Sequence, residues 1–154
     1  MGAEQKLAEL GLELPPASTP PPGRANAVRT GNLLFVGGHG PSVPGVGALN
    51  SGKLGQDVTI EQGYAAAQQA MLNCLSAVKG ELGDLDKVSR VVKLLCMVNS
   101  APDFGDQPRV ANGATDLLAK IYGDRGAHAR SAVGMGGLPN GICIEIEMIV
   151  EVGE

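Results

Sequence analysis

The last quarter of the chain decides the fold, and it consists of His128-Ala129-Arg130-Ser131-Ala132-Val133, Gly137-Leu138-Pro139-Asn140-Gly141 and Ile142-Cys143-Ile144-Glu145-Ile146-Glu147-Met148-Ile149-Val150. The pattern predicts two strands joined as a β-hairpin by the Gly- and Pro-containing turn. Every even position from Ile142 to Val152 is apolar, which is the period of two of a strand that packs one face on helices. The odd positions, among them Cys143, Glu145 and Glu147, then point to the opposite face of the sheet.

Arg130 gives the clearest chemical signal in this stretch, because a guanidinium among small and apolar strand residues needs a partner if it faces inward. A guanidinium binds carboxylates in bidentate fashion through its planar fork. The partner is either Glu145 or Glu147, in a structural ion pair across the hairpin, or the carboxylate of a ligand. The two glutamates are equally compatible with an ordinary solvent-facing side of an antiparallel sheet.

Composition and charge limit the class of protein. A length of 154 residues fits one domain with a useful core. The net charge of −4, with two Tyr, two Phe and no Trp, argues against a nucleic-acid partner. Three cysteines in apolar contexts are predicted to be buried and reduced, and with only two histidines they predict no metal site. Without a leader pattern or an apolar run of membrane length, we expect a soluble cytoplasmic protein with no membrane partner.

Residues 1–23 are predicted to form an arm laid over a single domain of residues 24–154. The arm contains a short amphipathic helix over residues 4–12 and a Pro-rich extended segment. Two short strands, at 25–30 and 33–37, flank a turn at Gly31-Asn32, and a long glycine-rich loop follows.

Two helices and a buried strand complete the predicted order β-β-α-β-α-β-β. The first helix begins at the capping box of Thr59 and Gln62 and ends near Leu82, and a central strand follows at 87–99. The second begins at Pro108 and ends at Gly123. This order predicts an α+β sandwich with two helices on one face of a mixed sheet. The other face has no helix left to cover it, which predicts self-association into a closed ring.

Three motifs, in the same order along the chain, resemble those of the Rid (YjgF) family of reactive-intermediate deaminases, once labelled endoribonuclease L-PSP. The motifs are Gly31-Asn32-Leu33 leading into Val36-Gly37-Gly38, Asp84-Leu85-Asp86-Lys87-Val88, and Ala129-Arg130-Ser131-x-Val133 with Leu138-Pro139 and Ile144-Glu145-Ile146-Glu147. The resemblance covers roughly residues 24–152. The Pro-rich arm and the tail resemble the chorismate-mutase-like subgroup.

The resemblance implies a chorismate-mutase-like homotrimer with ligand clefts between subunits. It also implies hydrolysis of enamines and 2-imino acids to 2-keto acids and ammonia, without cofactor or metal. By the same resemblance Arg130 clamps the substrate carboxylate, Glu145 holds the attacking water, Gly38 contacts the ligand through its backbone, and the Ala132 main chain completes the pocket.

Two positions depart from the family pattern. Ala132 stands where the deaminase branch often has cysteine, and Arg24 aligns with a position often held by tyrosine that lines the cleft. A second arginine would make the pocket more cationic and favour a dicarboxylate or a larger anion. The alternative function is a non-catalytic trimer that binds a small carboxylate, and a ribonuclease is disfavoured by the acidic composition.

Overall fold

The computed structural model describes residues 2–153, which form one five-stranded sheet, one small hairpin and three α-helices. The helices are α1 (Ala3–Glu9), α2 (Ile60–Leu82) and α3 (Gln107–Tyr122). The strands are β1 (Ala27–Thr30), β2 (Leu33–His39), β3 (Ser42–Val43), β4 (Gly47–Ala48), β5 (Val88–Asn99), β6 (Ala129–Met135) and β7 (Ile144–Val152).

The strands of the main sheet follow the order β1-β2-β7-β5-β6, and all neighbours are antiparallel except β5 and β6. The predicted hairpin between β6 and β7 is therefore wrong, because β5 lies between them. Helix α3 carries the chain from β5 to β6, and a helical crossover joins parallel strands. The segment after β6 then passes over the end of β5 to reach β7, where the Asn99 side chain donates to the Ile142 carbonyl at 3.1 Å.

Both long helices form where the sequence predicts them. The Gln62 backbone N–H donates to Thr59 Oγ1 at 3.1 Å, and the Gln62 side chain accepts from the Thr59 N–H at 3.0 Å, which completes the capping box. Helix α2 ends at Gly83, whose φ of 80° is the left-handed conformation that glycine tolerates best. Helix α3 begins one residue before Pro108, and it buries Val110, Ala114, Leu117, Leu118 and Ile121.

The core lies between these helices and one face of the sheet. The even positions of β7 from Ile144 to Val152 are all buried, as their period of two predicts. All three cysteines are free and buried. Cys143, however, does not join Glu145 on the uncovered face, because β7 starts only at Ile144 and the Cys143 Sγ points to the Leu49 carbonyl at 3.8 Å.

The N-terminal arm packs on the domain through α1 and the Pro-rich segment. Helix α1 is shorter than predicted and buries Ala3 and Leu7. The Ala3 N–H donates to Asp86 Oδ1 at 2.8 Å, and Ser76 Oγ donates to the Pro15 carbonyl at 2.6 Å. These bonds fix the arm at the start of α1 and at the start of the Pro-rich segment.

The sheet face opposite α2 and α3, which we call the open face, carries apolar side chains from all five strands. They are Val28, Phe35, Leu95, Met97, Val133 and Ile149. Val28 is 59% exposed and Phe35 is 43% exposed. The side chains of β5 that face the helices are buried, whereas Leu95 and Met97 on the open face are only half-buried, so the strand predicted as buried is buried on one face. Within residues 2–153, no helix is long and apolar enough to cross a membrane.

Candidate functional site

The Glu145 carboxylate lies directly against the backbone of Gly38. Strand β2 pairs with β7 through Val36 and again through His39, and the register shifts between them, which is the irregularity of a β-bulge. A Cβ on Gly38 would lie 2.9 Å from the Glu145 Cδ and nearer still to a carboxylate oxygen. Glycine is therefore the residue that allows this carboxylate to approach the bulge. We call Gly38 and Glu145 the glutamate half-site.

Arg130 is held by α3 on the other side of the sheet. It pairs in parallel register with Leu94, which is fully buried under the helices, so the two side chains point to the helix face. The Arg130 Nη1 donates to Asn112 Oδ1 and to Thr115 Oγ1, each at 2.9 Å. Ala132, two residues further on the same edge strand, is half-buried on the same face. We call Arg130, Ala132 and the α3 residues that hold Arg130 the arginine half-site.

No carboxylate neutralises Arg130 among the described residues. The ion pairs of residues 2–153 are Lys79–Glu4, Arg90–Glu151 and Arg109–Asp106. The structural Arg–Glu pair that the sequence left open is thus wrong, because β6 and β7 are not neighbours. The remaining interpretation of the pattern, an arginine that meets an external anion, is consistent with this geometry.

A single chain does not bring the two half-sites together. Glu145 pairs with Met97 and lies on the open face, whereas Arg130 lies on the helix face. Strands β7 and β6 are two strand spacings apart, which is roughly 10 Å. One chain therefore presents two halves of the predicted site on opposite sides of its sheet.

Arg24 is exposed in the segment that leads into β1. The Gly37 N–H donates to the Asn26 carbonyl at 2.9 Å, which places this segment beside the bulge of the glutamate half-site. Arg24 is consequently at the end of the sheet that carries Gly38, and β6 with Arg130 is the opposite edge strand.

One cavity borders the arginine half-site, and the open face carries a second one, whose walls contain neither Gly38 nor Glu145. A cavity of about 650 Å³ lies beside the arginine half-site, and its walls include Asn112, Thr115, Gly126, His128 and Arg130. A second, of about 480 Å³, lies on the open face, and its walls include Phe35, Gly37, Lys93, Leu95 and Glu147. Both are large enough for a small metabolite.

Neither a metal cluster nor an activated thiol is found among the described residues. No group of three His, Cys, Asp or Glu side chains in residues 2–153 could hold a metal ion. Burial raises the pKa of the Cys96 thiol to about 11, and the Arg130 charge offsets part of that rise. Cys96 is therefore neutral near pH 7 and supplies no anion to Arg130.

Asn112, Thr115 and His128 were not predicted from the sequence as site residues. Asn112 and Thr115 are three residues apart and so share one face of α3, a polar pair in an otherwise apolar inner surface. That spacing was a visible signal. The spacing indicates a site only once β6 is known to be the parallel edge strand beside α3. The predicted β6–β7 hairpin does not place β6 there.

The fold and the two half-sites define the class of protein. It is an α+β sandwich with a five-stranded mixed sheet that carries Arg130 and Glu145 on its strands. The family model described as "YjgF/chorismate mutase-like, putative endoribonuclease" matches residues 4–151. The chain belongs to this family, the Rid/YjgF family whose motifs the sequence resembles.

Relatives and solved structures agree with the family. The chain is 43% identical over 147 residues to Protein TCP17 of Trypanosoma cruzi, covering 95% of this chain and 91% of the relative. It is 42% identical to the crystal structure of an Agrobacterium tumefaciens protein of unknown function, with a TM-score of 0.91 and coverage of 97% and 92%. A structure from Shewanella oneidensis MR-1 is 28% identical, with a TM-score of 0.93 and coverage of 99% and 100%. Family and fold do not by themselves define a function, which depends on the residues of the two half-sites.

Proposed function

We propose that this protein hydrolyses 2-imino acids and their enamine tautomers to 2-keto acids and ammonia, in clefts formed between copies of the chain. The observation that carries the proposal is Arg130. This half-buried guanidinium has no carboxylate partner within residues 2–153 and borders a cavity of about 650 Å³. An anionic ligand is the partner that satisfies it best.

The reaction needs little from the protein. Arg130 binds the substrate carboxylate and fixes the C=N carbon in place. Glu145 takes a proton from a water molecule as the water oxygen attacks that carbon, and it passes this proton to the imine nitrogen, which gives a carbinolamine. Glu145 then takes the proton of the carbinolamine hydroxyl and passes it to the amino nitrogen, so the C=O bond forms as the C–N bond breaks and ammonia leaves. Positioning of the carboxylate and one water supplies most of the acceleration, since imines already hydrolyse in water.

The separation of the two half-sites supports the assembly part of the proposal. Because Arg130 and Glu145 point to opposite faces, a cleft that contains both needs the arginine half-site of one copy and the glutamate half-site of the next. The open face, with its exposed Phe35 and Val28, offers apolar surface for such contacts. A closed homotrimer satisfies this arrangement with three equal clefts, and its mass is about three times the 15.7 kDa of one chain.

Gly38 and Ala132 are assigned to the cleft through their backbones, and Arg24 through its side chain. Arg24 lies beside the glutamate half-site, so in the assembled cleft it would face the substrate from the side opposite Arg130. We propose that it favours substrates with a second anionic group. Comparing imines derived from alanine and from glutamate, with wild type and Arg24→Ala, tests this selectivity.

The decisive experiment follows imine decay. An amino acid oxidase generates imines from several amino acids, and semicarbazide traps what remains. Wild type is expected to deplete the trapped imine, and Arg130→Ala is expected to lose about 100-fold in kcat/KM, because two charge-assisted hydrogen bonds to the carboxylate disappear. Arg109→Ala, which removes an exposed arginine of α3, is the matched control and should equal wild type.

Three results would contradict the proposal or select its alternative. Wild type that accelerates no imine would leave the non-catalytic carboxylate-binding function, which requires 2-keto acid binding that Arg130→Ala abolishes. Full activity in Arg130→Ala would reject the assigned site. RNA cleavage that stays with the protein through further purification would revive the ribonuclease, which the net charge of −4 disfavours.

A further inference from the structure

The guanidinium of Arg130 is held from one side only. Nη1 carries two hydrogens, and its two bonds, to Asn112 Oδ1 and Thr115 Oγ1, use both of them. The other edge of the group consists of the parallel N–H bonds of Nε and Nη2. Among residues 2–153 no side chain or carbonyl accepts a hydrogen bond from that edge. It is the geometry that binds a carboxylate in bidentate fashion.

A chain of hydrogen bonds fixes the threonine that holds Arg130. Thr115 Oγ1 accepts from Arg130, so its own hydrogen is free to point to His128 Nε2, which is 3.0 Å away. His128 Nδ1 lies 2.7 Å from the Gly126 carbonyl, which can only accept. The geometry therefore assigns the proton of a neutral His128 to Nδ1, and its Nε2 accepts from Thr115.

We propose that Asn112, Thr115 and His128 are positioning residues that turn the Nε/Nη2 edge of Arg130 toward the substrate carboxylate. This inference rests on the proposed function and deepens it, because it states which edge of the arginine binds the substrate. Asn112 and Thr115 stand one helical turn apart on α3, so the helix presents both acceptors as a rigid pair. His128 lies two residues before Arg130 in the sequence, and it is the last side chain in the series of hydrogen bonds that runs from Arg130 through Thr115.

If these contacts only tethered α3 to the edge strand β6, removing them would lower the stability of the fold and leave the affinity for a carboxylate unchanged. A positioning role makes a different prediction, because the affinity for a carboxylate then depends on these neutral partners. The Asn112→Asp substitution separates the two cases. It preserves the shape of the side chain but places a carboxylate 2.9 Å from Nη1, where it competes with the substrate for the guanidinium.

Pyruvate, the simplest 2-keto acid product, serves as the probe in calorimetric titrations of the full-length protein. We expect Asn112→Asp to raise the Kd of pyruvate about 100-fold and Thr115→Val about tenfold. Thr115→Ser, which restores the hydroxyl, should recover binding to within about twofold of wild type. Thr19→Val in the exposed arm is the matched control. In imine hydrolysis the Thr115→Val defect should appear in KM, with kcat changed less than about threefold.

The outcomes distinguish this inference from the function on which it rests. If wild type neither binds pyruvate nor hydrolyses imines, both fail. If Arg130→Ala loses pyruvate while Asn112→Asp and Thr115→Val keep wild-type Kd values, the proposed function stands and the positioning role is rejected. If Thr115→Ser is as impaired as Thr115→Val, the hydroxyl is not the active feature and the inference is also rejected.

Discussion

At Gly38 and at Gly113 an added Cβ would collide with a neighbouring atom, yet we expect Gly→Ala to have opposite effects on activity and stability at the two positions. At Gly38 the new Cβ would lie 2.9 Å from Glu145 Cδ, the end of a half-exposed side chain. At Gly113 it would lie 2.9 Å from the Tyr64 carbonyl carbon and nearer still to its oxygen, which belong to the backbone of α2. A side chain can swing aside, whereas a helix backbone cannot move without its neighbours.

We therefore expect Gly38→Ala to remove activity without unfolding the protein. Displacing the Glu145 carboxylate by about 1 Å should lower kcat/KM about 100-fold. The free energy of unfolding should change by less than about 0.5 kcal/mol, since Gly38 has no left-handed backbone and Glu145 can turn to solvent.

Gly113→Ala should do the reverse. Overpacking between α2 and α3 costs about 3 kcal/mol, and the better helix propensity of alanine returns about 1 kcal/mol, which leaves a loss of about 2 kcal/mol. For a chain of this length that loss lowers Tm by about 4–8 °C. Circular dichroism melts and imine trapping on both variants test the contrast. Wild-type activity in Gly38→Ala, or a Tm loss there as large as in Gly113→Ala, would refute the reasoning.

Other predictions concern stability. Burial raises the pKa of Cys96 and of Cys143 from 9.0 to about 11, so the folded state retains protons that the unfolded state loses. The free energy of unfolding should therefore fall as pH rises from 9 to 11, and urea titrations across that range should show a smaller fall in Cys96→Ala; an unchanged fall would contradict the assignment. Thr59→Ala removes the capping box of α2 and should cost about 1 kcal/mol. Thr19→Ala, in the exposed arm, is its control, and equal melting of the two variants would argue against the cap.

Local signals in the sequence predicted most of the elements. The Thr59–Gln62 capping box, Gly83 and Pro108 each act within one helical turn, and the structure has α2 and α3 at those places. The apolar period of two in β7 likewise depends on burial of one face only. Such signals are readable because the residues that cause the structure are close together in the chain.

Strand order was not readable in the same way. Whether β6 pairs with β7 or with β5 depends on how α3 crosses the sheet, and the turn between β6 and β7 is compatible with either arrangement. Arg130 and Glu145 were visible in the sequence as charged residues in apolar strands, but their placement on opposite faces followed from the strand order. Asn112 and Thr115, the hydrogen-bond acceptors on α3, were not predicted for the same reason.

Subunit complementation tests the central claim, a cleft shared by Arg130 of one copy and Glu145 of the next. Arg130→Ala and Glu145→Gln should each be inactive in imine trapping. When equal amounts are refolded together, random assembly in a closed ring gives about one cleft in four with both wild-type residues, and thus about a quarter of wild-type activity. Mixtures as inactive as the separate variants, despite exchange of subunits, would contradict a shared cleft.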